Sequence, residues 1–401
     1  MKRYKYIAKN DENKKQEGYL EAETKEAVLE TLRKKSLSPI SVQEEKDNIL
    51  SGFKNFSFVS SREKVLFSKE LATLVSAGIP IAQAMHVLED QVESKKMKKV
   101  TAEIANDIEG GFSLSSAMDK HREIFGPLYV NMIRAGEVGG ILDQTLEKMA
   151  DEIEKEHELV AKIRGALAYP MVIMIALVLV VIYMITNVIP QIANVFSEMG
   201  GQLPASTRFL MSLSSTLQSY GFIILIGLVL FVFGIRRLIK MNDRFRYGWH
   251  YGMLRVPVFG KTVKKVNVTR FTRTFGSLLT SGVPVIESLQ TAADTLNNEV
   301  FKRELYAVAK KVEDGSSVAE PLKNSKIFPS MVPHMIAVGE ETGTLDKTLL
   351  KVTDFFEKEV DNTIKNLSSI LEPILMIIIG LGAGFIVISV ITPIYQMTTL
   401  F

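Results

Sequence analysis

No cysteine occurs in this chain, so it can form neither a disulfide nor a thiolate metal site. Histidine is scarce. The five, at positions 86, 121, 157, 250 and 334, lack the spacing of a ligand set, and "EHELV" around His157 has no second histidine to make a zinc helix. Net charge is only +3, too small an excess to argue for a nucleic-acid partner, and none is expected. The N-terminus, "MKRYKYIAKNDENKK", has no apolar core. A cleavable signal peptide is therefore not expected, and this end should lie in the cytoplasm. A phosphate-binding loop is absent as well. "FGKT" at 259–262 supplies the Gly-Lys-Thr, but Arg255 stands where the first glycine of a P-loop belongs. No cofactor, metal or catalytic set is expected, so any work this protein takes part in must draw its energy from a partner.

What is present is apolar and charged in separate blocks. Of 401 residues, 47% are hydrophobic and 23% charged, which suggests charged helical parts joined to strongly apolar segments. Three runs are each close to the ~20 apolar residues a helix needs to cross a bilayer: "YPMVIMIALVLVVIYMITNVIP" from Tyr169, "YGFIILIGLVLFVFGIRRLI" from Tyr220, and "PILMIIIGLGAGFIVISVITPIY" from Pro373. None has a charge in its middle. Basic residues cluster before the first run (Lys155, Lys162, Arg164) and after the second (Arg236, Arg237, Lys240, Arg244, Arg246, Arg255, Lys261, Lys264, Lys265). Only Arg208 lies between the two, and "QMTTLF" after the third has none. Because basic loops stay inside, the N-terminus and residues 240–371 are expected in the cytoplasm, with loop 191–219 and the C-terminus outside.

The chain also repeats itself. "MIRAGEVGGILDQTL" from Met132 returns as "MIAVGEETGTLDKTL" from Met335, with nine of fifteen positions identical. "FSKELATLVSAGIP" from Phe67 meets "FTRTFGSLLTSGVP" from Phe271, and "EGGFSLSSAM" meets "EDGSSVAEPL". Pro170 aligns with Pro373 and Pro190 with Pro393. A period near 204 residues means a duplicated domain, not a solenoid. Each copy is a charged region of about 100 residues followed by a proline-bracketed span. The second span has no counterpart; it returns the second copy to the side of the first.

Each charged region reads as a helical bundle, since Val65, Leu66, Leu71, Leu74 and Val75 make a stripe of helical spacing. Gly78 with Pro80, and Gly282 with Pro284, are expected at helix corners. Ser113 and Ser316 or Ser317 are candidate N-caps. In the repeated sentence, Gly136 and Gly339 are expected to turn the chain out of one helix, with Gly140 and Gly343 in the same turn. Leu142 and Leu345 anchor the next helix, and Asp143 and Asp346 sit in its first turn. Glu137 and Glu340 have two readings: caps on the amides that open this long helix, or ligands for a partner or a cation. Gly380 and Gly384 are a small-xxx-small pair, either a close helix contact or merely a flexible span.

The expected fold is thus mainly α, a polytopic membrane protein of two homologous cytoplasmic bundles (62–168 and 266–371) and three transmembrane helices (169–190, 220–239 and 372–395). Residues 1–50 read as a small β–α–β module, with strands at "RYKYIA" and "SPISVQ" and helical "TKEAVLETLRKK" between them. Residues 51–61 read as a linker, 191–219 as an external loop, 240–265 as a basic connector and 396–401 as an external tail.

The twin SAGIP/TSGVP corners, the twin G-E-x-x-G-x-L-D turns, "GGQLPASTRFL", "RVPVFG" and the N-terminal "KYIA…GYLEAETKEAVLETL" resemble the type II secretion protein F / type IV pilus assembly protein PilC family over nearly the whole chain. One departure stands out: after the opening Phe come "SKEL" and "TRTF", where members often carry an Arg-Gln pair. The resemblance implies a non-enzymatic inner-membrane platform beneath a pilus or pseudopilus. It implies contact with a hexameric cytoplasmic ATPase, with pilin or pseudopilin subunits and with other inner-membrane assembly proteins, and a homo-oligomer in the bilayer. A reading of another class is a small transporter or channel built from a duplicated domain, which would place polar or broken-helix elements at mid-membrane.

Overall fold

A computed structural model of the chain describes residues 2–9, 15–22, 27–28, 31, 38–44, 59–198, 205–257 and 259–398. The N-terminal unit holds three strands: β1 (Lys2–Lys9), β2 (Lys15–Ala22) and β3 (Ser38–Glu44). They form an antiparallel sheet in the order β2-β1-β3, with Tyr6 opposite both Gly18 and Val42. The β–α–β expectation is therefore corrected. "KQEGYLEA" is a second strand hairpinned to the first; its glycine and charged residues hide the alternation that marks a strand. Of the stretch between β2 and β3, only residues 27–28 and 31 are described, as helix. The expected linker lies outside the described residues as far as residue 58.

The second unit is helical. Its first bundle holds α1 (Ser61–Ser76), α2 (Ile81–Gln91), α3 (Lys95–Glu109), α4 (Leu114–Asp119), α5 (Arg122–Gly139) and the start of α6 (Leu142–Tyr183). The second repeats this with α10 (Phe259–Thr280), α11 (Val285–Thr295), α12 (Glu299–Glu313), α13 (Ala319–Lys323), α14 (Met331–Thr342) and the start of α15 (Leu345–Thr398). The cores repeat too. Phe67 meets Phe125 with ring centroids 5.6 Å apart, and the counterparts Phe271 and Phe328 meet at 5.4 Å. All four rings are buried, and tilted or edge-on aromatic pairs of this kind add to the area they bury.

In each repeat the last helix of the bundle runs on into the membrane span with no loop between them. α15 is 54 residues long, about 80 Å at 1.5 Å per residue. α6 runs through a π-helical turn at Met184–Val188 into α7 (Ile189–Glu198). The unrepeated helix α8 (Ala205–Met241) is followed by α9 (Asp243–Arg255). Among the described residues, three helices are long and apolar enough to cross a membrane. Three expected segments are corrected. Residues 191–198 and 205–219, expected as a loop, are helical, because the serine- and threonine-rich run Thr207–Ser219 keeps an apolar stripe at Leu210, Leu213 and Leu217. The expected connector 240–265 is mostly α9 and the first turns of α10. Phe259–Thr262 opens α10 and forms no loop. The expected tail is helical to Thr398.

Candidate functional site

The repeated sentence folds into the same corner twice, though not as expected. Gly136 and Gly339 lie within helices and are buried. The turn falls four residues later, where Gly140 (φ 66°) and Gly343 (φ 65°) adopt the left-handed conformation that closes a helix. The first glycine serves close approach instead. A Cβ on Gly136 would stand 2.5 Å from Thr145 Oγ1 and 2.7 Å from Thr145 Cβ, so α5 touches the first turn of α6 only because there is no side chain there. Gly339 is held the same way against Thr348 and Leu345. Leu142 and Leu345 are half-buried, and Asp143 and Asp346 occupy the first turn of the long helices.

The glutamates also go elsewhere. Glu137 accepts the Ser115 amide at 3.3 Å, and its hydroxyl as well. Glu340 accepts the amides of Val318 at 2.6 Å and Ala319 at 3.0 Å. Both reach back to the short helices α4 and α13, not forward to the long helix, so the expected cap on the long helix is corrected. A carboxylate inside α5 or α14 faces sideways, and the nearest free amides belong to the short helix packed beside it. Ser113 and Ser317 complete these caps by accepting from Ser116 N and Glu320 N, each at 3.2 Å. Glu137→Gln and Glu340→Gln should each cost about 1 kcal/mol, the usual worth of a cap, read by chemical denaturation in detergent. A cost from one of them with the other neutral would show that the two corners are not held alike. At the other corners, Gly78 and Gly282 are left-handed (φ 80° and 81°), and Pro80 and Pro284 stand at the N-cap of the next helix.

Between the repeats lies a seam that sequence reading missed. α15 packs against both α10 and α6, and side chains of α10 reach α6 directly. Arg273 on α10 is 4% exposed. Its Nη2 lies 2.7 Å from Glu357 of α15, and its Nε lies 3.8 Å from Glu152 of α6. Arg270 forks onto Glu156 of α6, and Ser277 donates to Glu152 at 3.1 Å. Toward the membrane, Leu159, Val266, Val360 and Ile364 pack together, and Lys162 bonds Asp361 at 3.0 Å. Glu152 lies outside the apolar segment that begins at Tyr169. Burial pushes its carboxyl up to about 7, against the opposing pull of Arg273 and Ser277. A signal was available: Lys69–Glu154 in the first bundle aligns with Arg273–Glu357 in the second, and it too is an ion pair, at 2.5 Å. What alignment could not supply is the third helix that buries the second pair.

In the membrane part, α8 fastens both repeated spans. Pro190 and Pro393 have no amide hydrogen, so the carbonyls four residues earlier, Thr186 and Ser389, lose their helical donor. Each is taken by a side chain of α8: Gln218 Nε2 donates to Thr186 O at 2.7 Å, and Thr207 Oγ1 to Ser389 O at 3.1 Å. Thr207 and Gln218 are three helical turns apart on one face. In the first span the break also widens into the π turn, where Ile189 N donates five residues back to Met184 O. Gln218→Leu should cost about 1 kcal/mol by leaving a carbonyl unpaired in apolar surroundings, measured as thermal stability in detergent. An unchanged melting point would count against the fastening role. Gly380 and Gly384 do not serve such a contact within one chain, for nothing comes within 4 Å of where their Cβ atoms would stand. α8 holds α15 at Ser389 instead.

Comparison with known sequences assigns this duplicated architecture. The sequence model of the type II secretion system protein F matches twice, at residues 67–190 and 271–393, and that of its N-terminal domain at 1–43. The chain belongs to the type II secretion system protein F family. Relatives span its full length. The type IV pilus assembly protein PilC of Myxococcus xanthus is 34% identical over 97% of this chain and 94% of the relative. The PilC of Thermus thermophilus is 34% identical over 98% of each. The type II secretion system protein F of Vibrio cholerae is 30% identical over 100% and 99%. Both family matches end at the prolines that free these carbonyls, Pro190 and Pro393.

Proposed function

We propose that this chain is the inner-membrane platform of a type IV pilus or type II secretion-like machine, coupling a hexameric cytoplasmic assembly ATPase to the movement of pilin or pseudopilin subunits from the bilayer into a filament. The observation that carries this reading is the pair of long helices, α6 and α15, that carry each bundle into its own span with no intervening loop and meet in a buried ion seam. A movement imposed on either bundle is then delivered to the membrane without a flexible joint. Membership of a family whose relatives are named for pilus assembly and type II secretion supports the same reading. The distribution of basic residues supports bundles in the cytoplasm and a C-terminus outside.

The decisive experiment is purification of the native complex through a tag on this chain. A hexameric assembly ATPase and a prepilin-type subunit should co-purify, and deletion of the gene should abolish the filament. Recovery of neither, with filaments intact, would refute the reading. The chain alone should not hydrolyse ATP; intrinsic turnover abolished by Lys261→Ala would overturn that. Reporter fusions after Ser206 and Phe401 should read as external and one after Asn242 as cytoplasmic.

A further inference from the structure

α9 starts one residue after the membrane-crossing helix α8 ends, with Asn242 Oδ1 capping it by accepting from Arg244 N at 3.0 Å and Phe245 N at 3.2 Å. It has two unlike faces. The inner face is fully engaged. Leu254 is buried and Tyr247 lies against the core of the second bundle. Arg246 bridges to Glu299 at 2.8 Å, and His250 Nδ1 accepts the Glu299 amide at 3.0 Å.

The outer face is open and apolar. Phe245, Trp249 and Gly252 fall at i, i+4 and i+7, so they share one stripe. Met253 lies beside it and Val256 continues it past the helix end; all are exposed. Arg244 and Arg255 border the stripe on one side, with Arg255 stacked 4.5 Å over the Tyr251 ring. Arg236, Arg237 and Lys240 crowd the last turns of α8. Together with Arg244, they have no carboxylate within ion-pair distance among the described residues.

A cavity of about 430 Å³ opens beside this helix, lined by His250, Met253 and Phe259 and by Ile163, Leu167 and Leu367. Leu167 stands two residues before Tyr169, where the first span begins, and Leu367 shortly before Pro373, where the third begins. The cavity is thus at the depth where the repeated helices enter the membrane.

We propose that α9 is an interfacial helix that docks the second bundle onto an anionic bilayer surface. Phe245, Trp249, Met253 and Val256 enter the boundary between headgroups and acyl chains, and Arg244 and Arg255 meet lipid phosphates. Aromatic residues concentrate at that depth because they offer an apolar body and a polar edge. A helix with one apolar face and cationic flanks binds there by burying the first and neutralising the second. Continuity with α8 brings the stripe to the surface without a tether.

The chain carries a single tryptophan, so its fluorescence reports this helix alone. The full chain is reconstituted, at about one copy per vesicle, in phosphatidylcholine with or without phosphatidylglycerol, each with brominated acyl chains. Trp249 is 46% exposed in the chain itself, so shielding must come from outside. In vesicles containing phosphatidylglycerol it should lose roughly half its emission to bromine and resist aqueous acrylamide, as expected for a ring at the acyl boundary. Arg244→Gln with Arg255→Gln should bring this quenching down to the level in pure phosphatidylcholine. Helical circular dichroism confirms that each sample is folded. Free quenching by acrylamide with none by bromine would overturn the proposal. So would shielding that grows with the number of copies per vesicle, which would assign the stripe to a second copy, or quenching indifferent to phosphatidylglycerol.

Discussion

Replacing Arg273 by methionine should destabilise the chain by about 3–5 kcal/mol at pH 8, because it leaves a buried carboxylate without its cation. Three glutamates converge on this guanidinium. Glu156 and Glu357 are partly exposed and can turn to water. Glu152, 8% exposed, cannot. Acid should soften the effect, since a protonated Glu152 needs no counter-ion. The intact chain carries the same signature in milder form. With its carboxyl pushed up from 4.5 to about 7, Glu152 holds a proton in the folded state over a range where the unfolded chain has released it. Stability therefore falls as pH rises from about 4.5 to about 7, on the order of 3 kcal/mol, and levels off above. Glu152→Gln keeps the acceptor for Ser277 and removes the charge. It should flatten this pH dependence and recover much of the loss in the Arg273→Met background. Denaturation curves of the four variants at pH 5 and pH 8 check the cycle. Additive losses that do not change with pH would show that Glu152 and Arg273 are not coupled.

The second large effect is steric. Gly136→Ala should cost about 2–3 kcal/mol, because its methyl would overlap Thr145 at 2.5–2.7 Å and packed helices yield only at that scale. Gly140→Ala, four residues on, should cost less, about 1 kcal/mol, since only the left-handed backbone resists it. Nothing lies within 4 Å of its Cβ position. Thr145→Gly, which removes every side-chain atom near that methyl, should recover much of the loss from Gly136→Ala and none of that from Gly140→Ala; equal losses from Gly136→Ala with and without Thr145→Gly would count against close approach. Widening this corner also tilts α6 against α5. Because α6 continues into its span, filament output should, on the proposed function, fall further than stability alone predicts. Gly339→Ala should behave alike in the second repeat, where Thr348 stands as Thr145 does.

Much of this protein could be read directly from the residue order. Two bundles, their repeat, three apolar spans and the family follow from patterns that are local or that recur at a fixed offset. An apolar run of twenty residues has few other physical outcomes, and a sentence written twice must fold twice. The corners were placed but misread. Sequence can show that Gly136 and Gly140 are both glycines, but not which one turns the chain and which one lets two helices touch. That depends on Thr145 arriving across the corner. Sequence neighbourhood offers Glu137 the helix that follows it as a capping partner, while its carboxylate finds free amides on the helix that precedes it, packed alongside. The seam of Glu152, Arg273 and Glu357 was decided only in three dimensions. Its two ion pairs join residues 84 and 121 positions apart, and what sets Arg273 apart from its exposed counterpart Lys69 is the arrival of a third helix from the other repeat. The same holds for the proline-freed carbonyls. The prolines are plain in the sequence, but the donors that satisfy them stand on α8, the one span without a repeat to point to it.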